Sequence, residues 1–295
     1  MSDPHGTSAQ GFCALEDFGV LRFRGPDAVR FLQGQLSNDL AALTPAAILR
    51  AGLHNPQGRT VALLWLAADG PDDLLALLPR ELAGSVAAQL KRYLLRAKLT
   101  IADESAQSLL VGVVGAHSGE RQWRLDAGRA VRLQPAPQSL PAGERLSREQ
   151  WRALDIAAGQ PQVYAATSGQ FVAQMLNLDC IDAVSFTKGC YTGQEVIARA
   201  HYRGRVKRRM QRFETAAAVR LAPGDAGRLE DGRAFRIVEA VTRAAGGSEF
   251  LAVAPLPGAA REPEAEAARE GADDAARGGA ALRAQALSLP YALPE

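Results

Sequence analysis

Cysteine is scarce and unpaired. Cys13, Cys180 and Cys190 form no C-x-x-C pair and leave one thiol over, which excludes a disulfide framework and a closed zinc site of the usual spacing. Lysine is nearly as scarce: Lys91, Lys98, Lys188 and Lys207 are the only lysines among 34 basic residues. In an arginine-rich chain, a lysine inside a motif marks a place for a compact ammonium rather than a planar guanidinium. No G-x-G-x-x-G opens a helix after a strand, which argues against a dinucleotide fold. No apolar run reaches the ~20 residues of a membrane span, and Met1 to Gly6 hold neither a basic nor an apolar leader region. A cytoplasmic protein with reduced thiols and no membrane partner is expected. With a net charge of only +2, any basic surface must be local.

What is present is an ordinary globular composition, 47% hydrophobic and 22% charged over 295 residues, with room for two or three domains of roughly 100–200 residues. Short strands and helices alternate, so the expected class is α+β. Leu21 to Arg24 reads as a strand. Gly25-Pro26-Asp27 starts a helix carrying Val29, Leu32, Leu36 and Leu40 at helical spacing, with Ser37 and Asn38 as caps and Asp39 unassigned. Residues 47–53 and 60–66 read as strands around a proline- and glycine-containing turn at His54 to Arg59. A hydrogen-bonded structural role is expected for His54 and a solvent-facing one for Arg59. Asp73 to Leu78 reads as a buried strand, and Pro79 breaks it before a helix with Leu82, Val86, Leu90 and Tyr93 on one face. Residues 98–103 and 109–115 read as further strands. Ser147 to Gln150 is a capping box that predicts a helix over 148–158, anchored by Trp151 and stopped by Gly159 and Pro161. Alternating apolar residues from Gln211 to Leu256 predict a small β-barrel or sandwich. Residues 257–280 hold only Gly, Ala, Pro, Arg, Glu and Asp, the composition of a mobile loop, before a last apolar strand from Leu287 to Leu293.

Chemistry concentrates in Phe186-Thr187-Lys188-Gly189-Cys190-Tyr191-Thr192-Gly193-Gln194-Glu195. Two glycines, a thiol, an amine, a phenol and a carboxylate stand together there. Core packing does not call for such a mixture; glycines serve close approach or positive φ, and a loop opening into a regular element favours function. Immediately beyond lie six cations, Arg199, Arg203, Arg205, Lys207, Arg208 and Arg209. Arg203, Arg205, Lys207 and Arg209 alternate, which on a strand would turn all four to one side. Such a strip suits a polyglutamate tail, a phosphate or RNA. With Tyr202 as the sole interleaved aromatic, direct nucleic-acid binding is disfavoured.

Lys188-Gly189-Cys190-Tyr191-x-Gly193-Gln194-Glu195 resembles the K-G-C-Y-x-G-Q-E signature of the YgfZ family of folate-binding proteins, matching it at every specified position. That family is related by fold to the glycine-cleavage aminomethyltransferases and to mitochondrial iron–sulfur assembly factors. Gly25-Pro26-Asp27, Asn55 to Arg59, Gly159-Gln160-Pro161, Asn177-Leu178-Asp179 and Tyr202 to Arg208 support the resemblance. It implies an aminomethyltransferase-like multidomain ring around a central folate channel. Residues 12–205 would form the folate-binding region as two interleaved subdomains. Residues 206–295 would form a C-terminal β-barrel domain with a flexible insertion at 257–280.

The role implied is assembly or repair of iron–sulfur clusters in client enzymes, with tetrahydrofolate or a derivative as cofactor and indirect effects on tRNA modification. Cys190 would be the reactive group, or a transient cluster ligand shared with a client or carrier protein, and Lys188 and Arg199 would lower its pKa. Tyr191, Gln194, Glu195, Gln174, Asn177, Arg199 and Arg203 would contact folate, while Gly189 and Gly193 would serve backbone geometry. Two departures disfavour methylene transfer. The aminomethyltransferase loop continues into acidic residues, one of them catalytic, where this chain reads Val61-Ala62-Leu63-Leu64. The acid expected before Asn177 is likewise missing in Gln174-Met175-Leu176, although Gln174 retains hydrogen-bonding groups for a pterin edge. A one-carbon transferase using Asp39 or Glu195 instead, and an RNA-binding module on residues 199–209, are the alternatives.

Overall fold

The computed structural model describes residues 11–115, 119–204, 206–244, 246–257 and 281–294. Arg205 and, apart from Pro257, the expected loop at 257–280 lie outside the described residues. Along the chain run β1 (Gly11–Ala14), β2 (Phe18–Arg24), α1 (Ala28–Gln33), β3 (Leu49–His54), β4 (Thr60–Gly70), β5 (Asp73–Pro79), α2 (Arg80–Lys91), β6 (Thr100–Asp103) and β7 (Ser108–Val114). There follow β8 (Gln122–Arg124), β9 (Arg129–Pro135), β10 (Glu144–Arg145), α3 (Arg148–Ala157), α4 (Gln194–Tyr202), β11 (Arg208–Thr215), β12 (Ala226–Arg228), β13 (Ala234–Thr242), β14 (Ser248–Pro255) and β15 (Gln285–Leu287). Two compact units result. The first takes the described parts of Met1–Gln35, Asp39–Ala51 and Leu64–Trp151; the second takes Leu36–Asn38, Gly52–Leu63 and the described parts of Arg152–Glu295.

Strands are ordered β3-β4-β5-β2-β6 in one sheet and β10-β1-β7-β9-β8 in another. The core of the first unit gathers Val20, Trp65, Leu75 and Leu77 from the first sheet, Leu110, Trp123, Val131 and Leu133 from the second, and Trp151. Period-two alternation explains the choice: Leu75 and Leu77 enter this core, while Leu74, Ala76 and Leu78 point to the opposite face. Helix α2 packs on β2, β5 and β6, burying Leu82, Val86 and Leu90. Burial on both faces is why 73–79 reads as an unbroken apolar run. Tyr93, expected on the same helix face, lies past its end and is exposed.

In the second unit the sheet order is β12-β13-β14-β11-β15. Phe213, Phe235, Ile237, Phe250 and Ala252 fill its core, with the Phe213 and Phe250 rings 5.4 Å apart. Leu282 exchanges backbone hydrogen bonds with Arg228 and Glu230 beside β12, and Gln285–Leu287 pair with β11 at the other edge. One short segment thus meets both edges, in the manner of a small barrel. The expected boundary at 205/206 falls inside this unit, because Asn177 donates to the Met210 carbonyl oxygen and Asp179 pairs with Arg209, joining the preceding segment to β11.

Helix α1 is shorter than its apolar spacing predicts. It stops at Gln33, Val29 is exposed, and Leu36 instead bridges Leu53 as an isolated β pair. That early stop frees Leu36, Ser37 and Asn38 for the site described next.

Candidate functional site

Helix α4 begins at Gln194 with Glu195 in its first turn, where the helix dipole favours an acid, and buries Ile197. Gly193 caps it at φ 80°. The Gln194 side-chain oxygen turns back to accept a hydrogen bond from the Tyr191 N–H at 3.1 Å, closing the loop on the helix. A Cβ at Gly193 would overlap the Asn55 carbonyl oxygen and lie 3.0 Å from the Gly58 Cα.

The opposing turn is equally constrained. The Gly58 N–H donates to the Asn55 carbonyl and the Arg59 N–H to Asn55 Oδ1, both at 2.9 Å, with Gly58 at φ 70°. Arg59 is held rather than solvent-facing: its Nη1 donates to the Gln170 carbonyl at 2.6 Å. Loop and turn therefore meet glycine to glycine.

A second tether runs through Leu36 to Asn38. Lys188 Nζ donates to the Leu36 carbonyl at 2.5 Å and lies 4.9 Å from the centre of the Tyr191 ring. Ser37 Oγ donates to the Ala183 carbonyl and accepts from the Gly52 N–H, each at 2.8 Å, while Asn38 Nδ2 donates to the Asp182 carbonyl at 2.6 Å. Ser37 and Asn38 are thus stitches to the segment before the motif, where helix caps were expected. The Lys188 ammonium anchors the motif loop itself to the same segment.

Gly189 and Cys190 are exposed at the crest of this loop. A Cβ at Gly189 meets nothing within 4 Å, and its backbone is outside the positive-φ region. The geometric need expected of both glycines therefore belongs to Gly193 alone. Tyr191 is buried, which pushes its phenol up to about 12.

His54 is wholly buried, its ring centre 6.2 Å from that of Tyr191. Neither ring nitrogen has a hydrogen-bond partner among the described residues, correcting the expectation of a hydrogen-bonded histidine, and burial pushes its pKa down from the usual 6.5 to about 3. An unfolded chain then binds this proton more readily than the folded one. The stabilising share of a neutral His54 is fully present above about 6.5 and is lost as pH falls toward about 3, by about 1.4 kcal/mol per pH unit. Urea denaturation across that window should show His54→Leu less acid-sensitive than the parent by one proton; equal slopes would clear His54 as the cause.

Below the loop, Gln174 is fully buried, its Nε2 donating to the Ile197 carbonyl of α4 at 2.7 Å, while its Oε1 has no partner among the described residues. Asn177, left-handed at φ 55°, donates from Nδ2 to the Met210 carbonyl at 2.8 Å. Arg209 grips Asp179 through two bonds of 3.0 and 2.9 Å and also donates to the Gln174 carbonyl at 3.1 Å. Burial first, and then the Asp179 charge, push the neighbouring Cys180 thiol up to about 11.

The basic strip does not form one strand face. Arg199 and Arg203 are exposed at the end of α4, Lys207 is exposed before β11, and Arg208 and Arg209 turn inward on β11. A cleft lined by Arg80, Ser105, Pro137 and Ser139 lies in the first unit and holds none of the motif residues.

What sequence reasoning did not connect to the motif is the segment Leu36–Asn38, whose polar residues resemble any helix cap. The pairing of Phe186 with His201 was also missed, although two aromatics at the two ends of a loop-helix unit were a usable signal.

No protein-family model matches the chain. A crystal structure of the glycine cleavage system aminomethyltransferase T from Bartonella henselae superimposes with a TM-score of 0.64 at 12% identity, over 84% of this chain and 79% of that one. The fold is therefore that of the aminomethyltransferases, with mixed helices and sheets and a C-terminal sheet domain. In sequence, the tRNA-modifying protein YgfZ of Serratia proteamaculans (strain 568) is 34% identical over 235 residues, covering 69% of this chain and 71% of the relative. The tRNA-modifying protein YgfZ of Pectobacterium carotovorum subsp. carotovorum (strain PC1) is 32% identical over 241 residues, covering 70% and 72%. The chain belongs to the YgfZ family.

Proposed function

We propose that the protein binds a reduced folate and serves assembly or repair of iron–sulfur clusters in client enzymes, with Cys190 as its reactive group. Effects on tRNA modification, the activity named in its relatives, would pass through cluster-dependent enzymes. The observation that carries the reading is the exposed Cys190 on a loop fixed at both sides, by Lys188 to Leu36 and by Gly193 against the Asn55–Gly58 turn. Such a thiol is presented to a macromolecular partner without conformational searching.

Among the described residues no three His, Cys, Asp or Glu side chains gather to hold a metal ion. A cluster at Cys190 would take its other thiolates from a client or carrier, since such clusters need several. For folate, the fitting group is Gln174, whose buried Oε1 offers an acceptor for an N–H edge of a pterin. Asn177 is less suited, with its amide engaged by Met210 and Arg209. Arg199 and Arg203 supply exposed cations for a glutamate tail. The transferase alternative gains no support: β4 buries Ala62, Leu63 and Leu64, and Asp39 caps a short turn at Ala41 and accepts from Gln33.

Tetrahydrofolate should be titrated calorimetrically into the parent and Cys190→Ala, and both scored for rescue of a cluster-dependent enzyme in cells lacking the protein. Tryptophan quenching is a poor substitute, because Trp65, Trp123 and Trp151 are all buried in the core of the first unit. Equal folate affinity, rescue lost in the variant, and stability within about 0.5 kcal/mol for an exposed substitution are expected. Full rescue by Cys190→Ala would defeat the thiol role; absence of folate binding in the parent would defeat the folate role.

A further inference from the structure

The aromatic side chains at the two ends of the motif unit converge on the surface. Phe186, from the start of the loop, stacks on His201 near the end of α4 with ring centres 3.7 Å apart and planes 13° from parallel. Tyr202 meets both edge-on, 4.7 Å from His201 and 6.2 Å from Phe186. Burial does not explain the cluster: Tyr202 is 66% exposed and His201 is exposed. An aromatic cluster left in water is costly unless something covers it.

Its surroundings say what chemistry would cover it. Arg199, Arg203 and Lys207 are exposed within one turn of α4 and the few residues that follow it. No acidic residue occurs between Val196 and Phe213, and Glu195, in the first turn of α4, is the helix's one carboxylate. The chain alone showed a single aromatic among these cations. The tertiary structure adds Phe186 from the start of the loop and stacks it on His201, which sits between Arg199 and Arg203 in the chain.

We infer that Phe186, His201 and Tyr202, flanked by Arg199, Arg203 and Lys207, form a binding site for single-stranded RNA, in which an unpaired base stacks on the aromatic cluster and the adjoining phosphates meet the cations. Single strands are bound in this way because every base has a π-face and every linkage a negative charge. A duplex, with its bases already stacked, cannot use the aromatic part. The aromatic cluster and Lys207 take no part in the folate contacts proposed above or in the chemistry of Cys190, whereas Arg199 and Arg203 are shared with the glutamate-tail contact.

The test is fluorescence anisotropy with a labelled short oligouridylate, its duplex with oligoadenylate, and uridine monophosphate as competitor. The parent should bind the single strand in preference to the duplex. Tyr202→Ala should weaken binding roughly 5- to 150-fold, the range measured for loss of one base–aromatic stack, while Tyr202→Phe should retain it. Lys207→Ala should lower the slope of log affinity against log salt by about 0.7, one phosphate's share on a single strand. Thermal melts of these variants, and calorimetric folate titration of the Tyr202 variants and Lys207→Ala, should match the parent, which separates a lost RNA contact from a damaged fold. The proposal is overturned if the parent does not bind the single strand, if the duplex binds equally well, if Tyr202→Ala leaves affinity unchanged, or if uridine monophosphate competes as strongly as the oligomer. The last result would make this a small-ligand site.

Discussion

Asp179→Ala is expected to destabilise the protein by about 3–5 kcal/mol, the cost of stripping a partner from a buried ion pair. The Arg209 side chain is 4% exposed and that of Asp179 is 6% exposed, and the carboxylate takes both guanidinium arms at 3.0 and 2.9 Å. Removing it leaves a charge that water cannot reach. The remaining bonds of Arg209, to the Gln174 carbonyl and weakly to Asn177 Oδ1 at 3.4 Å and the Cys180 sulfur at 3.8 Å, carry no compensating negative charge. The double variant Asp179→Ala, Arg209→Met should recover most of the loss, because an apolar pair of similar volume avoids desolvation altogether. Urea midpoints of the single and double variants decide the matter. A double variant as unstable as the single would mean that the loss comes from packing around Asp179 and not from the stranded charge.

Gly193→Val should cost about 2–5 kcal/mol, whereas Gly189→Val should stay within about 0.5 kcal/mol. A side chain at Gly193 must adopt left-handed backbone at φ 80°, worth about 1–2 kcal/mol, and must also displace the turn at Asn55 and Gly58, worth about 1–3 kcal/mol more. At Gly189 the backbone is unstrained and the space open. Thermal melts of the two variants separate the positions. Function should follow stability at Gly193, since the turn and the loop shift together. At Gly189, which adjoins Cys190, an unchanged melt with lost cluster rescue would locate a steric requirement of the partner.

Both effects arise where the chain's local pattern and its packing diverge, and the same divergence runs through the whole site. Several things were legible in the sequence because they depend on one element at a time. Strand β5 follows from its unbroken apolar run, β11 and β13 from alternation, α3 from its capping box and Trp151, and the turn at Asn55–Arg59 from its proline and glycine. The motif itself stood out by composition, and its opening into a regular element followed from the apolar residues behind Glu195, although the sequence left helix or strand open and the structure makes it α4.

Other features were set only by packing between residues far apart in the chain. The early stop of α1 releases Leu36, Ser37 and Asn38 to hold the motif loop, although their spacing continues a helical stripe. Arg208 and Arg209 turn inward while Arg199, Arg203 and Lys207 remain outside, because the helix ends and β11 begins within what alternation alone reads as one strand. His54 loses water without gaining a partner, a condition no single-residue propensity encodes. Sequence by itself determined which residues could form each element and where the reactive groups are concentrated. Tertiary structure decided which of them face one another, because hydrogen bonds and desolvation depend on distances in space that periodicity along the chain does not contain.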